Sequence, residues 1–239
     1  MTNISMWSGP RNISTAMMYS FAARRDCIAL DEPFYGAYLK ATGLKHPMAS
    51  EILAGMECDP QKVATICAAP AAKPIFYQKY MTHHMLPQFD RTFIRSLNNA
   101  FLIRSPEKVL ASYAKKHDEV SLHAIGFVEQ AEIFDEVAQH LGHAPPVVDG
   151  DIHLNNPRAS LTQLCAALNI PFDEAMLAWP KGPKSCDGIW APHWYNAAWN
   201  STGFGAPTLK PLQLPDHLKR IAENARPYYE KLKAHAFTA

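Results

Sequence analysis

The chain has 239 residues, 48% of them hydrophobic, so it can bury one substantial core. Its 23 basic and 22 acidic residues give a formal net charge of +1. This balance provides no general electrostatic attraction to nucleic acid or to an anionic membrane, so we expect neither as a partner. We expect a single domain over residues 1–239, with a sheet core over about 1–150 and a helical, loop-rich part over about 151–239.

The cysteine content predicts neither a disulfide framework nor a zinc site, because the five cysteines are an odd number and show no C-x-x-C spacing. The first predicted strand begins at about Asn3, which leaves no room for a signal peptide. No apolar run reaches the roughly eighteen residues of a membrane span. We therefore expect a cytoplasmic protein without a bound metal.

Short apolar runs alternate with stretches of helical periodicity. The predicted strands are Ile4–Trp7, Cys27–Leu30, Pro74–Tyr77, Ala100–Ile103 and Pro146–Val148. The predicted helices are Ser14–Ala23, Gln61–Ala69, Pro106–Lys116, Phe127–Leu141, Pro157–Leu168 and Pro215–Lys233. This alternation predicts an α/β fold, in which a mostly parallel central sheet is covered by helices on both faces.

The first predicted strand leads into a small-residue turn and a helix that opens on Ser14-Thr15. The first N–H groups of a helix lack intrahelical partners and lie at the positive end of its dipole, so such a turn can bind an anion. A nucleoside triphosphate loop would need glycine and lysine where Ser14 and Thr15 stand. The turn is therefore an anion cradle of another type. Its candidate binding residues are Gly9, Pro10, Arg11, Asn12, Ser14 and Thr15.

A second candidate anion site follows the fourth strand. Arg104 leaves the strand end, and Ser112 lies two helical turns into the next helix. A guanidinium group presents a planar fork of donors that suits phosphate. Arg104 and Ser112 can reach one phosphate only if it lies beside that helix.

Together these segments resemble the sulfotransferases that use 3′-phosphoadenosine 5′-phosphosulfate (PAPS). Pro10-Arg11 followed by Ser14-Thr15 resembles their 5′-phosphosulfate loop, and Phe101–Tyr113 is similar to their 3′-phosphate motif. The resemblance covers most of residues 3–180. It implies a P-loop type of nucleotide-binding fold, PAPS as co-substrate, 3′-phosphoadenosine 5′-phosphate (PAP) as product, and no metal.

Carried over by position, the resemblance assigns Arg11, Ser14 and Thr15 to the 5′-phosphosulfate and Arg104 and Ser112 to the 3′-phosphate. Many members carry lysine where this chain has Arg11. Arginine keeps the positive charge but does not readily donate a proton.

Two alternatives for the catalytic base follow from the same resemblance. Glu32, in Asp-Glu-Pro-Phe-Tyr, resembles the catalytic glutamate of the glycosaminoglycan-type members. The stretch from Lys79 to His83-His84 resembles a loosened Lys-Thr-His motif, in which histidine is the base and lysine contacts the donor. Imidazole can accept a proton near neutral pH. The sequence leaves the choice between Glu32, His83 and His84 open.

A segment rich in proline, glycine and tryptophan, Pro180–Pro211, is predicted to be an ordered loop over the sheet. Its candidate nucleotide-binding residues are Ser201, Thr202 and Gly203. Its aromatic side chains, with Tyr35 and Tyr38, predict a modestly apolar small-molecule acceptor that offers a hydroxyl or an amine.

Two other functions remain open at this point. A nucleotide kinase could use Asp31, Asp149 or Asp151 to face magnesium, although the lysine of its phosphate loop is absent. A non-catalytic nucleotide-binding protein would keep the fold and the donor site without turnover. The sequence does not indicate the oligomeric state.

Overall fold

A five-stranded sheet lies at the centre of the molecule in the computed structural model, which describes residues 1–117, 119–206 and 212–238. The strands are β1 (Thr2–Ser8), β2 (Cys27–Asp31), β3 (Ile75–Met81), β4 (Asn98–Ile103) and β5 (Val147–Asp149). Their order is β2-β3-β1-β4-β5, and each neighbouring pair is parallel. All five predicted strands are confirmed, and so is the α/β fold.

Helices connect the strands and form the C-terminal part. They are α1 (Ser14–Ala22), α2 (Tyr35–Thr42), α3 (Ala49–Gly55), α4 (Pro60–Ala68), α5 (Pro106–Tyr113), α6 (Phe127–Leu141), α7 (Gly150–Asn155), α8 (Pro157–Ala167), α9 (Ala191–Trp194), α10 (Asn196–Trp199) and α11 (Asp216–Lys233). The six predicted helices are present. Asp59 and Asn156 are the N-caps of α4 and α8. Their side chains accept hydrogen bonds from backbone N–H groups in the first turn, which explains where these two helices begin.

The sequence analysis missed several short helices. α2 and α3 have only 8 and 7 residues, too few for a clear helical period. The segment Pro180–Pro211 was expected to be a loop, but it contains α9 and α10, each one turn long. Its residues 207–211 lie outside the described part of the chain. A 3₁₀ turn, Thr82–His84, follows β3 directly.

Successive side chains of a strand belong alternately to two separate hydrophobic layers, one on each face of the sheet. In β1, Met6 lies in the layer beneath α1 and α8, whereas Trp7 lies in the layer beneath α6 and α11. Trp7 stacks on Tyr80 of β3 with 4.2 Å between ring centroids, and Phe21 of α1 stacks on Tyr77 at 4.3 Å. Both faces of the sheet are therefore covered, as a parallel sheet requires. Among the described helices, none is long and apolar enough to cross a membrane.

The segments after the strands meet at one edge of the sheet. Gly9, after β1, approaches the turn before α6 so closely that a Cβ at this position would lie 2.4 Å from the carbonyl oxygen of Ile125. A Cβ at Gly126 would lie 2.7 Å from Oγ1 of Thr82, after β3. The phosphate-loop candidate and the turn that carries His84 are thus held against the same short segment.

Candidate active site

A cavity of about 440 Å³ opens at the carboxyl ends of the strands. Ligands of open α/β sheets bind at this edge. Most of the predicted site residues line the cavity: Pro10, Arg11, Ser14, Thr15, Glu32, Lys79, His83, His84, Arg104, Ser112, Ser201 and Gly203. Residues that are up to about 190 positions apart in the sequence are therefore brought together.

Three predicted binding residues do not line the cavity. Gly9 packs against Ile125, as described above. Asn12 is buried, and its amide donates a hydrogen bond to the carbonyl oxygen of Gly9 at 3.1 Å. Thr202 is exposed, and its carbonyl oxygen accepts a hydrogen bond from the backbone N–H of Trp179 at 3.1 Å. Their positions shape the surrounding loops and give no support to direct contact with a nucleotide.

The loop between β1 and α1 has an unusual backbone. Arg11 and Ile13 have φ values of 64° and 57°, a left-handed conformation that is uncommon for residues other than glycine. The loop delivers the N-terminus of α1 to the cavity, where Ser14 and Thr15 line the wall. Arg11 Nε donates a hydrogen bond to Ser112 Oγ at 2.8 Å. The two predicted anion sites therefore touch each other.

Arg104 adds a second guanidinium group beside the first. Its Nη1 donates to the carbonyl oxygen of Arg11 at 3.3 Å, and its Nε lies 3.2 Å from Oδ1 of Asp151. Arg11 forms no ion pair with a carboxylate among the described residues. Burial, and then the nearby charge of Arg104, lower the pKa of Arg11. An anion bound here would relieve this repulsion. Because the resemblance assigns them to the nucleotide donor, we call Arg11, Ser14, Thr15, Arg104 and Ser112 the donor half of the cavity.

A buried charge cluster lies where β2 and β3 end, on the other side of β1 from β4. Lys79 is only 1% exposed, and its Nζ donates to Asp31 Oδ1 at 2.8 Å, Glu32 Oε1 at 2.5 Å and the hydroxyl of Tyr195 at 2.7 Å. The hydroxyl of Tyr195 donates in turn to Asp31 Oδ2 at 2.7 Å. An ammonium group has three donors, and here all three are used within the protein.

Glu32 has a strained backbone, and one of its two carboxylate oxygens accepts a hydrogen bond from Lys79. Its φ is 42°, in the left-handed region, and the residue is 8% exposed. Burial raises the pKa of Glu32, Lys79 opposes that effect, and the charge of Asp31 adds to it. Oε1 is bound by Lys79, while Oε2 lies 4.0 Å from Nδ1 of His84, which is too far for a hydrogen bond. Oε2 is thus the carboxylate oxygen left to receive a proton.

His83 and His84 are neutral at this wall. His84 is 2% exposed and stacks between Tyr35 and Tyr38, with centroid distances of 4.6 and 4.7 Å. Neither Nδ1 has a hydrogen-bond partner among the described residues. Burial lowers the pKa of His83 to about 3 and that of His84 well below its usual value. An imidazole with so low a pKa is a weak base at neutral pH.

The hydrogen bond between Tyr195 and Asp31, and the binding of both Asp31 oxygens, were not predicted from the sequence. Tyr195 was noticed only as an aromatic residue of the loop, because no spacing rule connects it to Asp31, 164 positions earlier. Both oxygens of Asp31 are occupied: Oδ2 also accepts from the backbone N–H of Gly188 at 3.1 Å. This arrangement speaks against the alternative in which Asp31 faces magnesium. Within the described ranges, no group of three or more His, Cys, Asp and Glu side chains could hold a metal ion.

A family model described as "Sulfotransferase domain" matches residues 2–236. The chain belongs to this family. Solved sulfotransferases also share its fold. The "Sulfotransferase Domain from the Curacin Biosynthetic Pathway" has a TM-score of 0.56 at 16% identity, with 94% of this chain and 97% of that chain covered. A sulfotransferase from Alicyclobacillus acidocaldarius has a TM-score of 0.56 at 10% identity, with 98% and 95% covered. At these identities the likeness establishes the fold alone.

Two curated relatives of this sulfotransferase domain come from Arabidopsis thaliana. "Branched-chain-amino-acid aminotransferase-like protein 2" is 38% identical over 233 residues, and "Branched-chain-amino-acid aminotransferase-like protein 1" is 36% identical over 233 residues. Each match covers 97% of this chain but only 41% and 42% of those proteins. The chain thus spans about two fifths of the length of these relatives.

Proposed function

We propose that the protein transfers a sulfuryl group from PAPS to a hydroxyl or amine of a small-molecule acceptor. The observation that carries the proposal is the donor half of the cavity, where two guanidinium groups lie next to a helix N-terminus. Arg11 contacts Ser112 at 2.8 Å and Arg104 contacts the Arg11 carbonyl at 3.3 Å, so the 5′ and 3′ anion sites adjoin. A nucleotide with phosphates at both positions suits this arrangement.

In this proposal the N-terminus of α1, with Arg11, Ser14 and Thr15, binds the 5′-phosphosulfate. Arg104 and Ser112 bind the 3′-phosphate. The segment that contains Ser201 and Gly203 also lines the cavity and closes it over the nucleotide. Backbone N–H groups and fixed side-chain cations meet the charge of the donor, since they are already oriented before it binds.

The chemical step is an in-line displacement at sulfur. The acceptor oxygen or nitrogen forms a bond to sulfur while the bond from sulfur to the 5′-phosphate oxygen breaks, and its electron pair leaves with PAP. The acceptor proton passes to Oε2 of Glu32, the oxygen not engaged by Lys79. Arg11 and the N-terminus of α1 stabilise the negative charge that develops on the leaving oxygen.

Lys79 has a different role here from the one that the sequence suggested. Its three donors are used by Asp31, Glu32 and Tyr195, so we assign it to holding Glu32 rather than to contacting the transferring group. Burial alone would lower the pKa of Lys79, but Asp31 and Glu32 outweigh burial and raise it.

The proposal is tested by calorimetric titration with PAP and with AMP, which lacks the 3′-phosphate. Arg104→Ala should weaken PAP binding roughly 10- to 100-fold, the effect of losing a charge-assisted hydrogen bond of about 1.5–3 kcal/mol. AMP binding should change little. Arg220→Ala removes an exposed arginine of α11 and serves as the matched control. Failure of the unmodified protein to bind PAP, or equal losses for PAP and AMP, would contradict the proposal.

A further inference from the structure

The charge cluster lies where β2 and β3 end, whereas the donor half follows β1 and β4. We call Glu32, Tyr35, His84, Trp190 and Tyr195, all of which line the cavity, the acceptor wall. This name rests on the proposed function, because the acceptor must approach the sulfur from the side that carries Glu32. The charges on this wall decide which class of molecule can bind there.

The acceptor wall carries no surplus positive charge. The one ammonium group behind it, that of Lys79, is shared by two carboxylates at 2.8 and 2.5 Å. Asp31 is sufficient to balance it, so ionised Glu32 is left as a surplus negative charge next to the cavity. Even with Glu32 protonated, the cluster is neutral rather than positive. Among the described residues of this wall, an acidic acceptor would find no unpaired cation.

The histidines near the wall do not change this balance. The ring nitrogen Nδ1 of His46 pairs with the hydroxyl of Tyr35 at 2.9 Å, a neutral partner. His84 approaches a carboxylate only at 4.0 Å. Burial is the largest cause that lowers the pKa of His46 and of His117, as it is for His83 and His84. The lowered pKa favours the uncharged form of each of these four rings, all of which line the cavity.

Among the described residues that line the cavity, the remaining cations belong to the donor half. Arg11 and Arg104 lie beside the anion cradle, and a bound donor brings phosphate and sulfate groups that take up their charge. With the donor in place, the net charge that an acceptor meets is therefore negative. Because charges of the same sign repel across a partly desolvated site, an acidic acceptor is excluded.

Aromatic faces supply the rest of the acceptor wall. Tyr35 meets Trp190 edge-to-face with 4.9 Å between centroids, and Lys79 Nζ lies 5.1 Å from the ring centroid of Tyr195. Aromatic side chains in a pocket lining offer apolar surface to a bound molecule. We propose that the acceptor is an uncharged or positively charged molecule with an apolar or aromatic body that offers a hydroxyl or a neutral amine nitrogen to the sulfur, and that acidic acceptors are rejected.

Three probes of similar size and with the same phenyl ring test this inference: 2-phenylethylamine, 2-phenylethanol and phenylacetate. Each is titrated into the protein saturated with PAP at neutral pH, with calorimetry and the fluorescence of the tryptophans as readouts. The amine should bind at least about tenfold more tightly than phenylacetate, and the alcohol should lie between them or match the amine. In Glu32→Gln the preference for the amine over phenylacetate should shrink. Glu223→Gln, an exposed glutamate on α11, should keep it.

The possible results separate this inference from the function on which it rests. Phenylacetate that binds as tightly as the amine, or a preference unchanged by Glu32→Gln, overturns the charge assignment. Absence of binding by all three probes to the PAP-loaded protein overturns the aromatic acceptor wall. Absence of PAP binding itself overturns the proposed function first, and the inference with it.

Discussion

Glu32 combines features that do not favour folding. Its φ of 42° is uncommon for a residue with a side chain, and its carboxyl group shares one lysine with Asp31 in a buried cluster. Strained backbone and surplus buried charge both lower stability. Their occurrence at one residue on the cavity wall supports a functional role for Glu32, because structure that only supports folding would avoid them.

Glu32→Gln should therefore stabilise the protein and reduce turnover. Burial, together with Asp31, raises the pKa of Glu32 in the folded state despite Lys79. A carboxyl with a raised folded pKa contributes stability below its unfolded pKa, near 4.3, and loses that contribution as the pH rises through its folded pKa. Glutamine resembles the protonated form, so the melting temperature of the variant should exceed that of the unmodified protein at neutral pH.

Thermal unfolding over the range from about pH 4 to pH 8 checks this prediction, because the difference in melting temperature should vanish towards the acid end. Turnover of PAPS should fall about 10²- to 10⁴-fold, as expected when a general base is lost. Glu223→Gln, on the surface of α11, is the control for both measurements. A variant that is less stable at neutral pH would contradict the assigned charge balance.

At the scale of elements, the site depends on how the segments after the strands pack against one another. Gly126, at the start of α6, has φ +70° and leaves room for Thr82, whose hydroxyl donates to the Gly126 carbonyl oxygen at 2.9 Å. Thr82 begins the 3₁₀ turn that carries His84. A displacement of the start of α6 would therefore also displace the turn that carries His84, a residue of the acceptor wall.

Gly126→Ala and Gly142→Ala form a matched pair at the two ends of α6. Both glycines have φ near 70°, so alanine should cost roughly 1–2 kcal/mol at either position. A Cβ at Gly126 would lie 2.7 Å from Thr82 Oγ1, whereas nothing lies within 4 Å of one at Gly142. Urea denaturation should show the larger loss for Gly126→Ala, and only that variant should lose PAPS turnover. Equal effects would contradict the role of this contact.

At the scale of the whole molecule, the C-terminal part completes a site that the sheet begins. Gly188 and Tyr195 bind Asp31 at the end of β2, and Trp190 Nε1 donates to the Tyr195 hydroxyl at 3.2 Å. The helical part is therefore tied to the sheet edge through buried hydrogen bonds. That residues 1–239 form one domain, and that the protein is cytoplasmic, stay predictions.

Tyr195→Phe should loosen this connection while keeping the ring. Asp31 loses a donor and Lys79 loses an acceptor, so the variant should be destabilised by about 1–3 kcal/mol. Hydrogen exchange of residues 188–203 should become faster. Tyr228→Phe removes a hydroxyl with no hydrogen bond among the described residues and is the matched control. Unchanged exchange in Tyr195→Phe would contradict the connection.

The fold, and the meeting of Arg11 and Arg104 at one edge of the sheet, could be predicted because their signals are local. Strand and helix periods extend over neighbouring residues, and Arg11 and Arg104 each stand at a fixed distance from a strand end. The partners of Lys79 could not be predicted, since a buried ion cluster is set by distances in space and not by spacing along the chain. The one-turn helices α9 and α10 were missed for a related reason, as four residues are too few to display a period.

The hydrogen bonds of Asp31 affect the order in which parts of the protein can fold during synthesis. Synthesis proceeds from the N-terminus, so all five strands leave the ribosome before Gly188 and Tyr195 do. A nascent sheet can already pair Lys79 with Asp31, but the second oxygen of Asp31 must wait for partners 157 and 164 residues later. Contacts of such long range form slowly. The acceptor wall is consequently assembled late, and it stays incomplete in a nascent chain that has not yet reached Tyr195.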